Sequence, residues 1–528
     1  MAPNTQPLVA RETLCWQRCR NGSSGKLPMV RPKRLASTLS MLVTYAMLAA
    51  CGDSNSADYA GGGFSNVETA GTGSTINIGD SGGVDNSISG GGGSAMMPGG
   101  GSFAGVMSTG GVGAAMASGG TTSSTGGVVD QDAAVDGGSG GTATAASTED
   151  DGADCMVGSL PDPGSLPSIS KLPDPFEKLD GTRMSQKSEW RCRREEIKRM
   201  AETYALGEKP SPPQSVSGSV SETSISIQVM DNSSSASFSV SVQLPSGGQA
   251  PYPSIVVYGG GGFGAPLDSS VINSEGIALI NYNPYDVGAE GTPRNNKQGA
   301  FYDLYGSTST TGLLIAWGWG VSRIIDVIER SDGSILQADA VAVTGCSRFG
   351  KGAFVAGVFD QRIPLTMPIE SGTAGVPIWR GISGEGAQSL SSAYGEQPWF
   401  GDAFGAFTSD PTKAPIDTHE LVAMVAPRGL FIMDNPYIAN LGPISAHVAA
   451  LAGAEVYAAL GASDSITYWS DVQSGSHCSL RPEWSAPLKS NIQRFLTKTG
   501  SDPGVIQASA QASGDLAQWR DWATPTLQ

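Results

Sequence analysis

The sequence predicts an α/β fold, a three-layer sandwich around a mostly parallel central sheet. Two observations carry this. From Tyr252 onward, short β-branched runs alternate with amphipathic helical stretches, the pattern of strands joined by helical crossovers. Runs such as "SIVVY" (254–258) and "AVAVTG" (340–345) are apolar at successive positions, as in strands buried on both faces. A third observation bears on function. Ser347, Glu370, Asp434 and His477 each follow such a run, and in parallel sheets sites collect at the carboxyl ends of strands.

In chain order, Arg31, Lys33 and Arg34 precede an apolar run that ends in Leu48-Ala49-Ala50-Cys51. The run fits a secretory signal. Its end resembles the lipobox of bacterial lipoproteins, whose cysteine (here Cys51) carries lipid and would anchor the chain to a membrane. Residues 1–51 are thus the expected signal segment. Residues 52–153 are crowded with glycine and serine and hold too few large apolar side chains to offset their ordering entropy, so they predict a flexible linker. Residues 154–500 predict the catalytic domain, long enough to bury one sizeable core, and 501–528 a C-terminal tail.

Within the domain, "LPDPGSLPSISKLPDPFEKLDG" (160–181) is proline-punctuated and extended. Trp190, Ile197, Met200 and Tyr204 fall at helical spacing before Gly207 and Pro210. "SVSGSVSETSISIQVMDNSSSASFSVSVQLP" alternates polar and apolar residues, as two or three antiparallel strands do. Strands follow at 252–262 and 276–284, then a long helix at 309–330. A strand-corner-helix runs from 338 to 360, with strands starting at 363, 427 and 465 and helices at 446–461 and near Ile492.

The net charge of −17 leaves no basic stripe to neutralise phosphates, so nucleic acid is not an expected partner. Of seven cysteines, Cys15 and Cys19 precede the apolar run and Cys51 would be lipidated. Cys155, Cys192, Cys346 and Cys478 remain, an even set that in an exported domain suggests two disulfides. Four cysteines allow three pairings, and spacing alone does not choose among them.

The corner "TGCSRFGKG" holds Ser347 between Gly345 and Gly350. An N-cap serine would sit there too, but the glycine bracket suits a strained nucleophile elbow. A serine nucleophile needs a base, and the chain has three histidines. His477 lies in a small-residue loop late in the chain, where serine hydrolases built on such sheets keep their base. His447, on a helix face, is expected to be structural. His419, early in a helix, could equally hydrogen-bond in the core.

"GCSRFGKGAFVAGVFDQRIPLTMPIESGTAG", with "WGWGVSRIIDVIE" upstream and "SGSHC" downstream, resembles the glucuronoyl methylesterases of carbohydrate esterase family 15, over roughly residues 155–500. That resemblance implies an α/β-hydrolase fold. It also implies a serine esterase acting on esters of 4-O-methyl-glucuronic acid in xylan, including links to lignin alcohols. It assigns Ser347 as nucleophile, His477 as base and Arg348 as oxyanion support, with the "YGGGGFG" loop (258–264) as a further candidate. Lys351, Gln388 and Glu396 would hold the sugar. Glu370 matches the family's acid, with Asp434 as alternate or assistant. Asn440 stands where relatives commonly carry a sugar-packing tryptophan, and Trp399 could supply an apolar wall instead. If the serine and histidine loops meet, Cys346 and Cys478 should bond, as in relatives, leaving Cys155 with Cys192. No cofactor or metal is expected, and the catalytic domain is expected to act as a monomer. Two rival readings remain: an esterase of the same fold for acetylated xylan or another small ester, and a surface lipoprotein that only binds polysaccharide.

Overall fold

The structure is a computed structural model that describes residues 148–259, 265–500 and 502–528. The expected signal segment with Cys51, nearly all of the expected linker and most of the "YGGGGFG" loop lie outside those residues.

Among the described residues, ten strands form one sheet in the order β1-β2-β3-β5-β4-β6-β7-β8-β9-β10. The first three are β1 (Ser215–Val220), β2 (Ser224–Asp231) and β3 (Ser234–Gln243). They pair antiparallel with each other, and β3 pairs antiparallel with β5 (Ala278–Tyr282). Along β2 every second residue is exposed, which is why its sequence alternates.

The remaining pairings are parallel. They join β4 (Tyr252–Tyr258), β5, β6 (Leu336–Cys346), β7 (Leu365–Ile369), β8 (Gly429–Met433), β9 (Ile466–Trp469) and β10 (Ile506–Gln507). The central strands, β7 and β8 above all, are buried on both faces, so alternate side chains feed two cores. In β4, Val256 and Tyr258 join the larger core, while Ile255 and Val257 join the smaller one.

The larger core lies under α1 (Trp190–Ala201), α4 (Leu313–Glu329), α5 (Arg348–Phe359), α7 (Thr418–Val425) and α8 (Pro443–Leu460). On the other face α9 (Ser485–Phe495) packs on β7 and β8, and α2 (Ser269–Ser274) packs on α9. The short helices α3 (Ala300–Tyr305) and α6 (Leu390–Glu396) sit in the connections. Neither is long enough for two full turns of apolar periodicity, so no local pattern announces them.

Both expected domain boundaries shift. Glu149, expected in the linker, is buried against Lys209 at 2.5 Å and Arg323 at 2.5 Å. The segment expected as a tail adds β10 to the sheet edge and buries Trp522 and Leu527. β10 is only two residues long, too short to show an alternation. α8 starts at Pro443, earlier than its periodicity suggests, because proline at the first helical position fixes φ and needs no N–H acceptor.

Candidate active site

Ser347 stands between β6 and α5 with φ 60° and ψ −127°, a conformation a serine rarely adopts. Two glycines make the turn fit. A Cβ on Gly345 would come within 2.5 Å of the Phe349 carbonyl oxygen, and one on Gly350 within 2.6 Å of the Ile369 carbonyl oxygen. The second glycine therefore serves the contact of α5 with β7, which places it three residues after the serine. The Ser347 N–H donates to the Ile369 carbonyl at 2.9 Å, and the Lys351 N–H to the Ser347 carbonyl at 3.1 Å. Lys351 thus lies one helical turn on, on the same face.

At the end of β7, Glu370 is fully buried with φ 45°. Its Oε2 lies 2.6 Å from His477 Nδ1 and accepts the Cys478 N–H at 2.9 Å. Its Oε1 accepts from Asn435 Nδ2 at 3.2 Å and Arg481 Nη2 at 3.1 Å. Burial pushes this carboxyl up, but the bonds from His477, Cys478 and Arg481 outweigh it and hold the group below its ordinary value. Arg481 also donates to the Ser474 and Ser476 carbonyls at 2.6 Å each, pinning the loop that carries His477.

Asp434 does not join the pair. Its carboxylate accepts the Asn435 N–H at 3.0 Å, while the Asn435 side chain takes the place beside Glu370. Burial pushes Asp434 up to about 7.

The sulfurs of Cys346 and Cys478 are joined, as are those of Cys155 and Cys192, with Cα–Cα distances of 5.8 and 5.4 Å. The first bond ties the Ser347 corner to the His477 loop, and the second ties α1 to the segment before it. As disulfides, these sulfurs offer no thiolate to a metal.

Ser347 and His477 line one cleft of about 280 Å³ together with Arg348, Lys351, Gln388, Glu396, Trp399 and Asn440. Lys351 is buried, donates to the Ser371 carbonyl at 2.5 Å and lies 5.1 Å from the centre of the Trp399 ring. Burial lowers its pKa to about 7, against the opposing pull of Glu396. Gln388 precedes α6 and Glu396 is its last residue, and the two share a hydrogen bond of 2.7 Å. Asn440 offers its backbone carbonyl to the Gln388 N–H at 3.0 Å.

The other histidines lie elsewhere. His419 is buried 2.9 Å from the Pro173 carbonyl and stacks on Trp522, and burial lowers its pKa to about 4. His447 Nδ1 accepts the Gly514 N–H at 2.9 Å.

Three residues at the site escaped the sequence reading: Glu290, Asn435 and Arg481. Glu290 accepts from Arg348 at 2.5 Å, Trp399 Nε1 at 2.6 Å and the Tyr285 hydroxyl at 3.1 Å. It sits in a loop without periodicity, far from its partners in sequence. Arg481 lies four residues after His477, and that nearness was the one available signal.

Fold and site together define a carboxylic ester hydrolase of the α/β-hydrolase class. A family model described as "Glucuronyl esterase, fungi" matches residues 227–461. The 4-O-methyl-glucuronoyl methylesterase of Hypocrea jecorina is 38% identical over 381 residues, covering 71% of this chain and 80% of the relative. The chain belongs to the glucuronoyl esterase family, carbohydrate esterase family 15. The solved catalytic domain from Hypocrea jecorina superposes with a TM-score of 0.64 at 37% identity, covering 71% of this chain and all of that one. A Ser→Ala mutant of the Sporotrichum thermophile enzyme, solved with methyl 4-O-methyl-β-D-glucopyranuronate, gives 0.64 at 35% identity over 71% of this chain and 100% of that one. The esterase from Caldicellulosiruptor kristjansonii gives 0.59 at 30% identity, covering 69% and 99%.

Proposed function

We propose that the protein hydrolyses esters of 4-O-methyl-D-glucuronic acid on xylan, including those joining xylan to lignin alcohols. Ser347 is the nucleophile, His477 the base and Glu370 the acid. One observation carries this: the strained Ser347 corner and the His477–Glu370 pair face the same cleft as Lys351, Gln388 and Glu396. The last three can hold sugar hydroxyls through one cationic donor, one amide and one carboxylate acceptor. The complex of the Sporotrichum thermophile enzyme with a methyl glucuronate supports the substrate class.

In the reaction His477 takes the Ser347 proton as the oxygen attacks the ester carbonyl at C6. Glu370 fixes the imidazole tautomer and stabilises the imidazolium. The oxyanion meets the Arg348 N–H, which begins α5 and has no intrahelical acceptor, and the positive field of the helix start and the guanidinium. His477 returns its proton to the leaving alcohol, and water then releases the acid by the same route.

The test is hydrolysis of benzyl glucuronate and of acetylated xylan by wild type and Ser347→Ala. Uronate ester turnover that disappears in the variant is expected. Faster acetyl release by wild type would overturn the substrate class, and an active variant would overturn the nucleophile.

The chain is further proposed to be exported and tethered by lipid on Cys51, with its catalytic domain acting as a monomer. Two disulfides support export, since such bonds persist in oxidising compartments. Mass spectrometry of the mature N-terminus tests the tether, and an unmodified Cys51 peptide would sink it. Sedimentation tests the monomer, and a dimer mass would refute it.

A further inference from the structure

Glu290 has no part in the mechanism above, yet it is bonded to two residues that line the cleft, Arg348 and Trp399. Its side chain is only 9% exposed. Oε1 accepts the Trp399 indole N–H at 2.6 Å, and Oε2 accepts both the Tyr285 hydroxyl and Arg348 Nη1. Arg348 has a second carboxylate nearby: its Nη2 lies 3.7 Å from Glu396 Oε1, and Glu396 is 39% exposed. Glu396 is also the group the proposed function needs free for the sugar, alongside Gln388. Arg348 therefore stands between two acids, one structural and one facing substrate.

We propose that Glu290 is a positioning residue that captures Arg348 and Trp399 together, keeping the guanidinium beside Ser347 and its contact with Glu396 long. The physics favours this division. A short charge-assisted bond in a largely dry setting is stronger than a longer, solvated pair. Two neutral donors, the indole and the phenol, fix the carboxylate before Arg348 reaches it. Trp399 is held with its ring 5.7 Å from the Arg348 guanidinium carbon and 5.1 Å from Lys351 Nζ, so one anchor orders the indole wall and both cations. Without the Glu290 charge, the nearest acid left to Arg348 is Glu396, and pairing there removes a sugar acceptor.

This inference rests on the proposed function, and a double-mutant cycle separates the two. Glu290→Gln keeps an acceptor for Trp399 and loses the charge that holds Arg348. With benzyl glucuronate it is expected to raise KM roughly tenfold, the effect of one displaced charged hydrogen bond. In an Arg348→Ala background no guanidinium competes for Glu396, and the same change is expected to move KM less than about twofold. An unchanged KM for Glu290→Gln, or an equal rise in both backgrounds, overturns the inference while leaving the esterase reading intact. Wild type that does not hydrolyse the ester overturns both. Should Glu290→Gln not fold, Glu290→Asp serves in the same cycle with the same expectations, because it draws the charge back from Arg348 by one methylene.

Discussion

At the carboxyl behind His477, burial and hydrogen bonding pull in opposite directions, and the bonds win. Sixty-four residues on, Asp434 is buried with fewer donors, and there desolvation wins. The two acids are thus prepared for different charge states, and only Glu370 touches the imidazole. Glu370→Gln is expected to lower kcat for benzyl glucuronate by roughly ten-thousand-fold, the cost of the wrong imidazole tautomer. Asp434→Asn is expected to leave kcat within about tenfold, and a larger loss in steady-state kinetics would bring Asp434 into the mechanism. Asp434 also carries a pH signature. Its folded pKa of about 7 lies above the usual 3.8, so its contribution to stability is full below about 4 and lost as pH rises through about 7. Asp434→Asn does not titrate, so its urea midpoint should gain on wild type between about pH 4 and about pH 8. A difference constant with pH would contradict the assignment. Ser347 and His477 were legible as candidates because their signals are local, a glycine bracket and a late small-residue loop, whereas the part assigned to Lys351 came from the family resemblance. Glu290 and Arg481 act through contacts made by folding, which no local pattern announces.

Secondary structure was legible wherever an element buries a periodic face. β2 alternates because one face meets water, and the runs 254–258 of β4 and 340–346 of β6 do not alternate because both faces are buried there. The elements that escaped, α2, α3, α6 and β10, are two to seven residues long and take their form from neighbours. The element with the most direct bearing on chemistry is the β6–α5 corner, where backbone approach governs geometry. Gly350→Ala would drive a Cβ against the Ile369 carbonyl, which already accepts the Ser347 N–H. The backbone of β7 cannot yield as a flexible side chain would. The variant is expected to lose about 2 kcal/mol of stability, by urea unfolding, together with much of its kcat as the corner backs away from His477. Full activity at wild-type stability would show that the close approach is not needed.

Across the whole molecule, the polypeptide that precedes α1 is part of the fold rather than its approach. Cys155 is bonded to Cys192 on α1, and Glu149 sits deeper still, between Lys209 and Arg323 with Arg362 at 3.6 Å. Glycine-rich composition concealed this, because one buried charge leaves no periodic trace in sequence. Burial alone would push the Glu149 carboxyl up, yet Lys209, Arg323 and Arg362 hold it far below its ordinary value. The dependence is mutual. Arg323 is fully buried on α4, Lys209 also donates to Ser322 on that helix at 3.0 Å, and α4 packs on α5, which begins at the Ser347 corner. Removing the carboxylate leaves Lys209 buried without its acid and takes one of several carboxylates from Arg323, which keeps Asp326 at 2.8 Å, and from Arg362, which keeps Asp360 at 2.8 Å, a change that typically costs more than the pair itself is worth. Glu149→Ala in the full chain is expected to lose about 3–5 kcal/mol by urea denaturation. Glu149→Gln should recover only part of that loss, since an amide restores hydrogen bonds but not charge. A loss below about 1 kcal/mol for the alanine variant would mean that water replaces the carboxylate, and that the folded unit begins nearer Cys155.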